Sequence, residues 1–374
     1  MTTLTQASRQ WASRPADERF LSLTDLRQKV ASERDRSIST VVSSRRIEVQ
    51  PHPADPIKGI TIAQDGTMVD PTHWAFGQLA TLAGAPASYL RKLPAPLVAD
   101  AMNYGLRFMR DAEEIGILRT GAQFVTDHGS IIEHNHLRAA TGPRYGRVWN
   151  EEIVTALEQK FGDGRTGNFR VPGEFGQQVE ITRANTTIYG SDRDIFVFLA
   201  DEENRIEVQN RRHGQPGSLA RGFFVWNSEV GSQSIGAAFF LFDYVCMNRI
   251  VWGVQDFKEI RLRHSKNAPD RWLEEITPVL MEYSNASARP IAETIREAQR
   301  KRVDDDLERF LRNRFTTAES TAIQAAHERE EGRPIETIWD VVTGTTAAAK
   351  TIEHQDARVD LERKGGKLLD LVSL

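Results

Sequence analysis

From Glu114 to Asn227 the apolar residues of this 374-residue chain fall into short runs that are rich in β-branched and aromatic side chains. Glycine, asparagine and aspartate bound these runs, as in EIGILRT, HLRAATG, IFVFLAD and RGFFVWN. Segments of this length and composition predict the strands of a largely antiparallel sheet. Apolar residues at helical spacing precede and follow the region. The chain is therefore predicted to be an α+β protein in which helices pack on an antiparallel sheet.

This pattern divides the chain into three predicted parts. Residues 1–40 are polar and are predicted to form a mobile N-terminal tail, with one short helix through Leu23, Leu26 and Val30. Residues 41–270 are predicted to form the α+β core domain. Residues 271–374 show apolar residues at near-helical spacing and are predicted to be a C-terminal helical region, with a capping-box pattern at Thr316 and Glu319.

Local signals place several elements within the core domain. The Asp65-Gly66 pair predicts a hairpin, because a type I′ turn needs positive φ at both central residues. Asp70 is expected to cap a helix that has Pro71 as its first residue. Asn150 is expected to cap the helix NEEIVTALEQKF, which carries two glutamates in its first turn.

Composition excludes several classes of protein. The formal charge is −4, from 48 Lys and Arg against 52 Asp and Glu, so a basic nucleic-acid coat over the whole surface is excluded. Residues 205–273 nevertheless carry a net +4, and residues 274–374 a net −5. The single cysteine, Cys246, permits neither an intrachain disulfide nor a CxxC site. With no apolar run long enough for a bilayer and no secretory signal, we expect a cytoplasmic protein with no membrane partner.

A basic turn beside aromatic residues is the first candidate site. Arg211 and Arg212 begin the turn RRHGQPGSLARG, and Arg221 precedes an aromatic strand that includes Phe223. Guanidinium groups neutralise phosphates and aromatic faces stack bases, as a single-strand nucleic-acid groove requires. The alternative is that the arginines are solvated and that the aromatic side chains, Phe224 among them, pack in the core.

The densest group of possible metal ligands lies at Asp127, His128, Glu133, His134 and His136. On a strand, His134 and His136 point to the same face, as a metal site needs. The alternative is a polar surface loop, because no third ligand is fixed by spacing. We therefore predict no metal and no other cofactor; His134 and His136 are the candidate ligands of the alternative, a metal site.

Enzyme motifs are missing from the chain. It has no GxxxxGK[ST], GxSxG or HExxH sequence, so we predict no enzymatic activity. The polar sequence Asn227-Ser228-Glu229, followed by Gly231, separates two apolar strands and is typical of turn chemistry. The alternative is that Glu229 is a buried acid or a cation ligand. Cys246 has apolar neighbours and is expected to be an inert buried thiol.

Four segments together resemble a phage- and plasmid-related family, the domain of unknown function 932, over roughly residues 40–370. They are LATLAGAPASYLRKLP, LRAATGPRYGRVWNEEIVTAL, FFVWNSEVGSQSIGAAFFLFDYVCMNRIVWG and TIWDVVTGTTAAAKTIEH. The family usually has glycine after Asn248, whereas this chain has Arg249, which joins the candidate nucleic-acid residues. The resemblance implies an origin in mobile elements, whose genes serve replication, recombination or evasion of host defence.

Three functions follow as hypotheses. The first is single-stranded DNA binding or annealing in recombination or replication, since the predicted layout is similar to that of single-strand annealing proteins. The second is an anti-defence or anti-restriction protein that acts by binding another protein. The third is a metal-dependent nuclease that uses the His134 region. The acidic C-terminal region is expected to recruit a host or phage protein.

A homo-oligomer is also expected. An apolar stripe on the C-terminal helices must be buried against something, either the chain's own sheet or a second subunit. The stripe consists of Ile291, Ile295, Leu307, Phe310 and Leu311. Cooperative coating of a strand needs neighbouring subunits, which favours the second possibility.

Overall fold

A computed structural model describes residues 15–108, 114–125, 131–172, 180–211, 215–243, 248–252, 259–303, 306–352 and 355–372. The side chains at 122–125, 131–134, 209–211, 215–216, 248–249, 251 and 355–356 lie outside this description. The strands within it are β1 (Arg19–Phe20), β2 (Ser37–Ser43), β3 (Ile47–His52), β4 (Asp55–Gln64), β5 (Thr67–Pro71), β6 (Glu114–Val125), β7 (Ile131–Thr141), β8 (Phe169–Arg170), β9 (Ile188–Gly190), β10 (Ile195–Asp201), β11 (Ile206–Arg211), β12 (Gln215–Asn227), β13 (Ile235–Asp243), β14 (Asn248–Val251) and β15 (Ile260–Leu262).

The helices fall into an N-terminal and a C-terminal group. The first group is α1 (Leu23–Asp35), α2 (His73–Leu82), α3 (Ala87–Leu90), α4 (Ala95–Phe108) and α5 (Asn150–Phe161). The second is α6 (Ala268–Arg271), α7 (Thr277–Asn285), α8 (Arg289–Arg300), α9 (Leu307–Arg312), α10 (Thr317–Glu331), α11 (Ile338–Ala349) and α12 (Gln355–Gly366), with a π-helical turn at Trp272–Ile276. No helix of the described segments is long and apolar enough to cross a membrane.

The strands form two sheets. The large sheet has the order β1-β9-β10-β12-β13-β14, with β8, β11 and β15 attached to its central strands, and its pairs are antiparallel. The small sheet has the order β2-β6-β7-β5-β4-β3 and one parallel pair, β5 with β7. The chain is therefore an α+β protein with largely antiparallel sheets, as the sequence predicted.

Helices cover both faces of the large sheet. Phe223 on β12 packs into a core shared with α1, α5 and α7, whereas its neighbour Phe224 packs with Phe240 and with Val359 of α12 on the other face. A strand buried on both faces is a continuous apolar run rather than an alternating one. This accounts for the sequences RGFFVWN and IGAAFFLFD. Phe224 is a core residue, as the alternative interpretation of the sequence had it, and Trp226 lies in the same cluster.

The small sheet has its helices α2, α3 and α4 on one face. Ile62 and Val69 of the hairpin β4–β5 pack against Phe76 and Leu79 of α2 and Met102 of α4. The hairpin turns at Asp65 and Gly66, whose φ angles are 49° and 80°, so the predicted type of turn is confirmed.

Two predicted helix caps are wrong. Asp70 and Pro71 belong to β5, where they pair with His136 and Leu137, and the helix is capped instead by Thr72, whose hydroxyl accepts from the Ala75 amide at 3.2 Å. The pairing of β5 with β7 outweighs the local preference for a helix start.

The second wrong cap concerns α5. Asn150 is the first residue of this helix rather than its cap, and Trp149 stands at the cap position without a side-chain bond to the helix. The carboxylate of Glu229 supplies the missing acceptor, since its Oε1 lies 2.8 Å from the Asn150 amide nitrogen. A contact between residues that are 79 positions apart thus replaces the local cap.

Part of the predicted N-terminal tail belongs to the folded body. Residues 1–14 lie outside the described residues. Arg19 and Phe20 pair with β9, and the predicted helix through Leu23, Leu26 and Val30 is present as α1, with these three side chains at most 2% exposed.

The C-terminal region is helical, and its Thr316–Glu319 capping box is present. Its apolar stripe faces inward. Ile291, Ile295, Phe310 and Leu311 are buried with Ile206 and Val208 of β11, and Leu307 packs against the same cluster. The apolar stripe is buried against the chain's own strand β11, so it does not form a surface for a second subunit.

Candidate functional site

The turn between β12 and β13 is a buried polar structure that joins the two sheets. Asn227 and Ser228 are fully buried, and Glu229 is 3% exposed. The Asn227 amide donates to the Val148 carbonyl at 2.9 Å and to Asn150 Oδ1 at 2.7 Å. The turn therefore holds the start of α5 against the large sheet.

Glu229 is a buried acid, one of the two alternatives that the sequence left open. Its Oε2 lies 3.0 Å from the Arg138 guanidinium on β7, and Arg138 is itself nearly buried. With Oε1 on the Asn150 amide, both carboxylate oxygens are engaged. Glu229 acts as a structural anion that ties the small sheet to the large one.

The next residue of the turn binds helix α2. The Val230 carbonyl accepts from Trp74 Nε1 at 3.0 Å and from Gln78 Nε2 at 2.8 Å. Gln78 also accepts from the Ala140 amide at 3.0 Å. These bonds fix α2, β7 and the turn relative to one another, so a surface formed by all three is held rigidly.

That surface is a pocket of about 670 Å³ between α2, the end of β7 and the turn. Ligand pockets typically have volumes of about 300–1,000 Å³. Its lining combines aromatic rings, small residues, polar groups and one guanidinium. The residues are His73, Trp74, Gly77, Gln78, Thr81, Leu82, Arg91, Ala140, Thr141, Gly142, Tyr145 and Gly231.

Arg91 gives the pocket its charge. Its Nη2 donates to the His73 carbonyl at 3.0 Å, and its guanidinium lies 4.7 Å from the ring centroid of Phe76. Burial, together with the nearby cations Arg91 and Arg193, lowers the pKa of His73 to about 4. At neutral pH His73 is therefore uncharged beside the cationic Arg91.

The opposite wall of the pocket is aromatic. The Tyr145 hydroxyl donates to the Ser228 carbonyl at 2.6 Å, and burial raises the pKa of this phenol. The His264 ring stacks on Tyr145 with centroids 4.7 Å apart, and burial lowers its pKa to about 4. Arg147 lies 5.4 Å from the Tyr145 ring and donates to the Glu229 carbonyl. The wall is thus a fixed stack of rings with a cation beside it.

A model of the family "Domain of unknown function (DUF932)" matches residues 174–367, slightly more than half of the chain. The chain belongs to this family. No curated protein and no solved structure matches the chain. The DUF932 match includes the turn Asn227–Gly231 and the C-terminal helices. The pocket walls from His73 to Tyr145 precede it.

Two of the residues predicted to bind nucleic acid are buried. Arg221 is 5% exposed, lies 3.6 Å from the Asp201 carboxylate and donates to the Ala286 carbonyl. Phe223 is fully buried, with its ring centroid 4.6 Å from that of Phe161. Because β12 is central in a sheet covered on both faces, the structure places both side chains in packing rather than at a ligand surface.

Most of the other residues that the sequence singled out have side chains outside the described residues. Arg211 ends β11, Arg249 lies in β14 and His134 lies in β7, but their side chains are outside the described residues. Arg212, Asp127, His128 and Cys246 are outside them entirely. His136 is on β7 with a half-buried side chain. Among the described residues, no group of three His, Cys, Asp or Glu side chains could hold a metal ion.

Sequence reasoning missed the pocket itself. No sequence motif marks Trp74, and Arg91 and Tyr145 lie in segments that carry the family resemblance without any predicted role. The alternation of basic and aromatic residues in PRYGRVW, between a strand and a helix, is the signal that points to the aromatic wall.

Proposed function

We propose that this protein binds single-stranded nucleic acid, with one unstacked base in the pocket between α2, β7 and the Asn227–Gly231 turn. The observation that carries the proposal is the composition of that pocket. A half-buried guanidinium, Arg91, shares it with the rings of Trp74 and Tyr145. Single-strand binding sites combine cations for the backbone with aromatic surfaces for the bases.

Exposed cations next to the pocket also support the proposal of single-strand binding. Lys92 follows Arg91, and Arg144 precedes Tyr145, and both are exposed. The Gly146 amide donates to the His264 carbonyl at 3.1 Å, which brings the segment with the exposed Arg263 and Lys266 alongside. A phosphate backbone crossing the pocket mouth would meet cations on both sides.

The pocket favours single strands over duplex. A base in a duplex is stacked and paired, so it reaches a pocket only after extrusion, which costs a few kcal/mol. A single strand offers its bases without that cost. Strand annealing in replication or recombination is the activity that we expect such binding to serve.

The test is fluorescence anisotropy with labelled single-stranded and duplex DNA at salt concentrations from about 50 to 200 mM. We expect single-strand binding that weakens steeply with salt. Arg91→Gln is expected to weaken it about tenfold and to reduce the salt slope by about one.

The matched control is Arg289→Gln on α8, whose side chain is 84% exposed and does not line the pocket. This variant is expected to bind as the parent does. Absence of single-strand binding by the parent at low salt would refute the proposal. Equal single-strand affinity of the parent and Arg91→Gln would show that the pocket is not the binding site.

A further inference from the structure

Helix α4 has two apolar faces, of which only one is buried. Val98, Met102 and Leu106 are at most 3% exposed and pack against the small sheet. On the opposite side Tyr104 is 60% and Phe108 72% exposed. Single exposed apolar residues are ordinary on protein surfaces, but several large ones along one helix mark an interaction surface.

The exposed residues of α4, together with the half-buried Ala101, have the spacing of a coiled-coil seam; Ala101 also packs against the core of the small sheet. Leu97 is also exposed, at 53%, and Leu97, Ala101, Tyr104 and Phe108 are separated by four, three and four residues. This alternation places them in the a and d positions that face a partner helix. We name these four residues the α4 seam.

The α4 seam is self-complementary in an antiparallel pair. Its spacing is the same in either direction, so a two-fold axis between Met102 and Asn103 sets Leu97 against the partner's Phe108. The same axis sets the small Ala101 against the partner's Tyr104. A small residue opposite a large one is the arrangement that lets two helices interdigitate.

Charges beside the seam have the same symmetry. Asp100 and Arg107 flank it on one side, and both are exposed. In an antiparallel pair these flanking positions meet, so Asp100 faces the partner's Arg107, and the symmetry creates this contact twice. Within the part of the chain that the structure describes, Arg107 lies 3.7 Å from the carboxylate of Glu48.

The other flank of the seam is closed by the chain itself. A Cβ on Gly105 would lie 2.0 Å from the Ala83 carbonyl oxygen, so the backbones are in direct contact there. Val98, on the same flank, is fully buried. The approach of a partner is therefore restricted to the side that carries Asp100 and Arg107.

We propose that the α4 seam is a two-fold interface between two copies of this chain. A helix of 14 residues is about 21 Å long, so the contact is at the small end of specific interfaces. We therefore expect a weak dimer that forms at micromolar protein. This surface replaces the C-terminal stripe as the basis for self-association, and it is independent of nucleic-acid binding.

The test is sedimentation velocity of the full chain over a range of micromolar concentrations. Asp100→Arg and Arg107→Asp each place like charges opposite one another twice, so each is expected to weaken the dimer about tenfold or more. An equimolar mixture of the two variants restores both contacts, because the cations of one variant face the carboxylates of the other. The double variant restores them as well.

A further pair of variants tests the apolar part. Phe108→Ser is expected to abolish the dimer, whereas Leu273→Ser, at a residue that is 55% exposed and outside α4, leaves it unchanged. A parent that is monomeric throughout the range overturns the proposal. So does an oligomer that the charge variants leave unchanged, or a mixture of variants that fails to associate.

Discussion

The two sheets of this protein differ in where their polar and aromatic residues are used. In the large sheet, Phe223 and Arg221 on β12 are buried and serve packing and an internal ion pair. Around the small sheet, Arg91 is half-buried and borders a pocket, and Phe108 is largely exposed. At these positions the same residue types are structural in the large sheet and border solvent around the small sheet, although Arg138 on β7 is also buried, against Glu229. Helices on both faces make the first sheet an interior, whereas the second keeps accessible surfaces.

The largest expected effect compares one phenylalanine from each region. Phe223→Ala removes a fully buried ring, which typically lowers the free energy of unfolding by about 3–5 kcal/mol. Phe108→Ala removes a ring that is 72% exposed and is expected to change it by less than about 0.5 kcal/mol. Urea unfolding at submicromolar protein measures both. Similar values for the two variants would contradict the contrast between the regions.

The second prediction concerns the ion pair that joins the sheets. Glu229→Ala leaves the buried Arg138 without its carboxylate and removes the acceptor at the start of α5. We expect a loss of about 3 kcal/mol in the free energy of unfolding. Glu203→Ala is the control, since Glu203 is 55% exposed and lies 3.5 Å from Arg170. If the two variants are equally stable, Glu229 does not hold the sheets together.

A smaller effect is expected from pH. Burial lowers the pKa of His264 to about 4, below its unfolded value of 6.5, so the folded protein favours the neutral ring. The resulting stability is fully present above pH 6.5 and is lost as the pH falls toward 4. At about pH 5 the loss is roughly 1 kcal/mol after allowance for partial exposure. Urea unfolding at several pH values should show a shallower decline for His264→Gln; an unchanged decline would mean that His264 is not responsible.

Local signals predicted the parts of the fold that depend on neighbouring residues. The Asp65-Gly66 hairpin and the Thr316–Glu319 capping box are set by residues a few positions apart, and both are present. The helix cap expected at Asp70 failed because β5 pairs with β7, which a local pattern does not contain.

The candidate site depends on contacts between distant parts of the chain. Glu229 meets Arg138 and Asn150, and Trp74 meets Val230 156 positions away, so spacing along the sequence does not bring them together. Arg221 resembled a solvent-facing cation because its partner, Asp201, is on another strand. The residue types can be read directly from the sequence, but the order of the strands determines which of these side chains reach a surface.

The most direct measurement is single-stranded DNA binding by two variants at Gly77, which lies in α2 and lines the pocket. A Cβ there would be 3.8 Å from Arg91 Nη2, an ordinary contact, so Gly77→Ala is tolerated and is expected to add about 0.5–1 kcal/mol to stability. Gly77→Leu extends into the pocket and fills part of it. Anisotropy titrations should show parental affinity for Gly77→Ala and at least about tenfold weaker binding for Gly77→Leu. Equal affinity of the two variants, with both fully folded, would contradict the proposal that this pocket binds a base of single-stranded DNA.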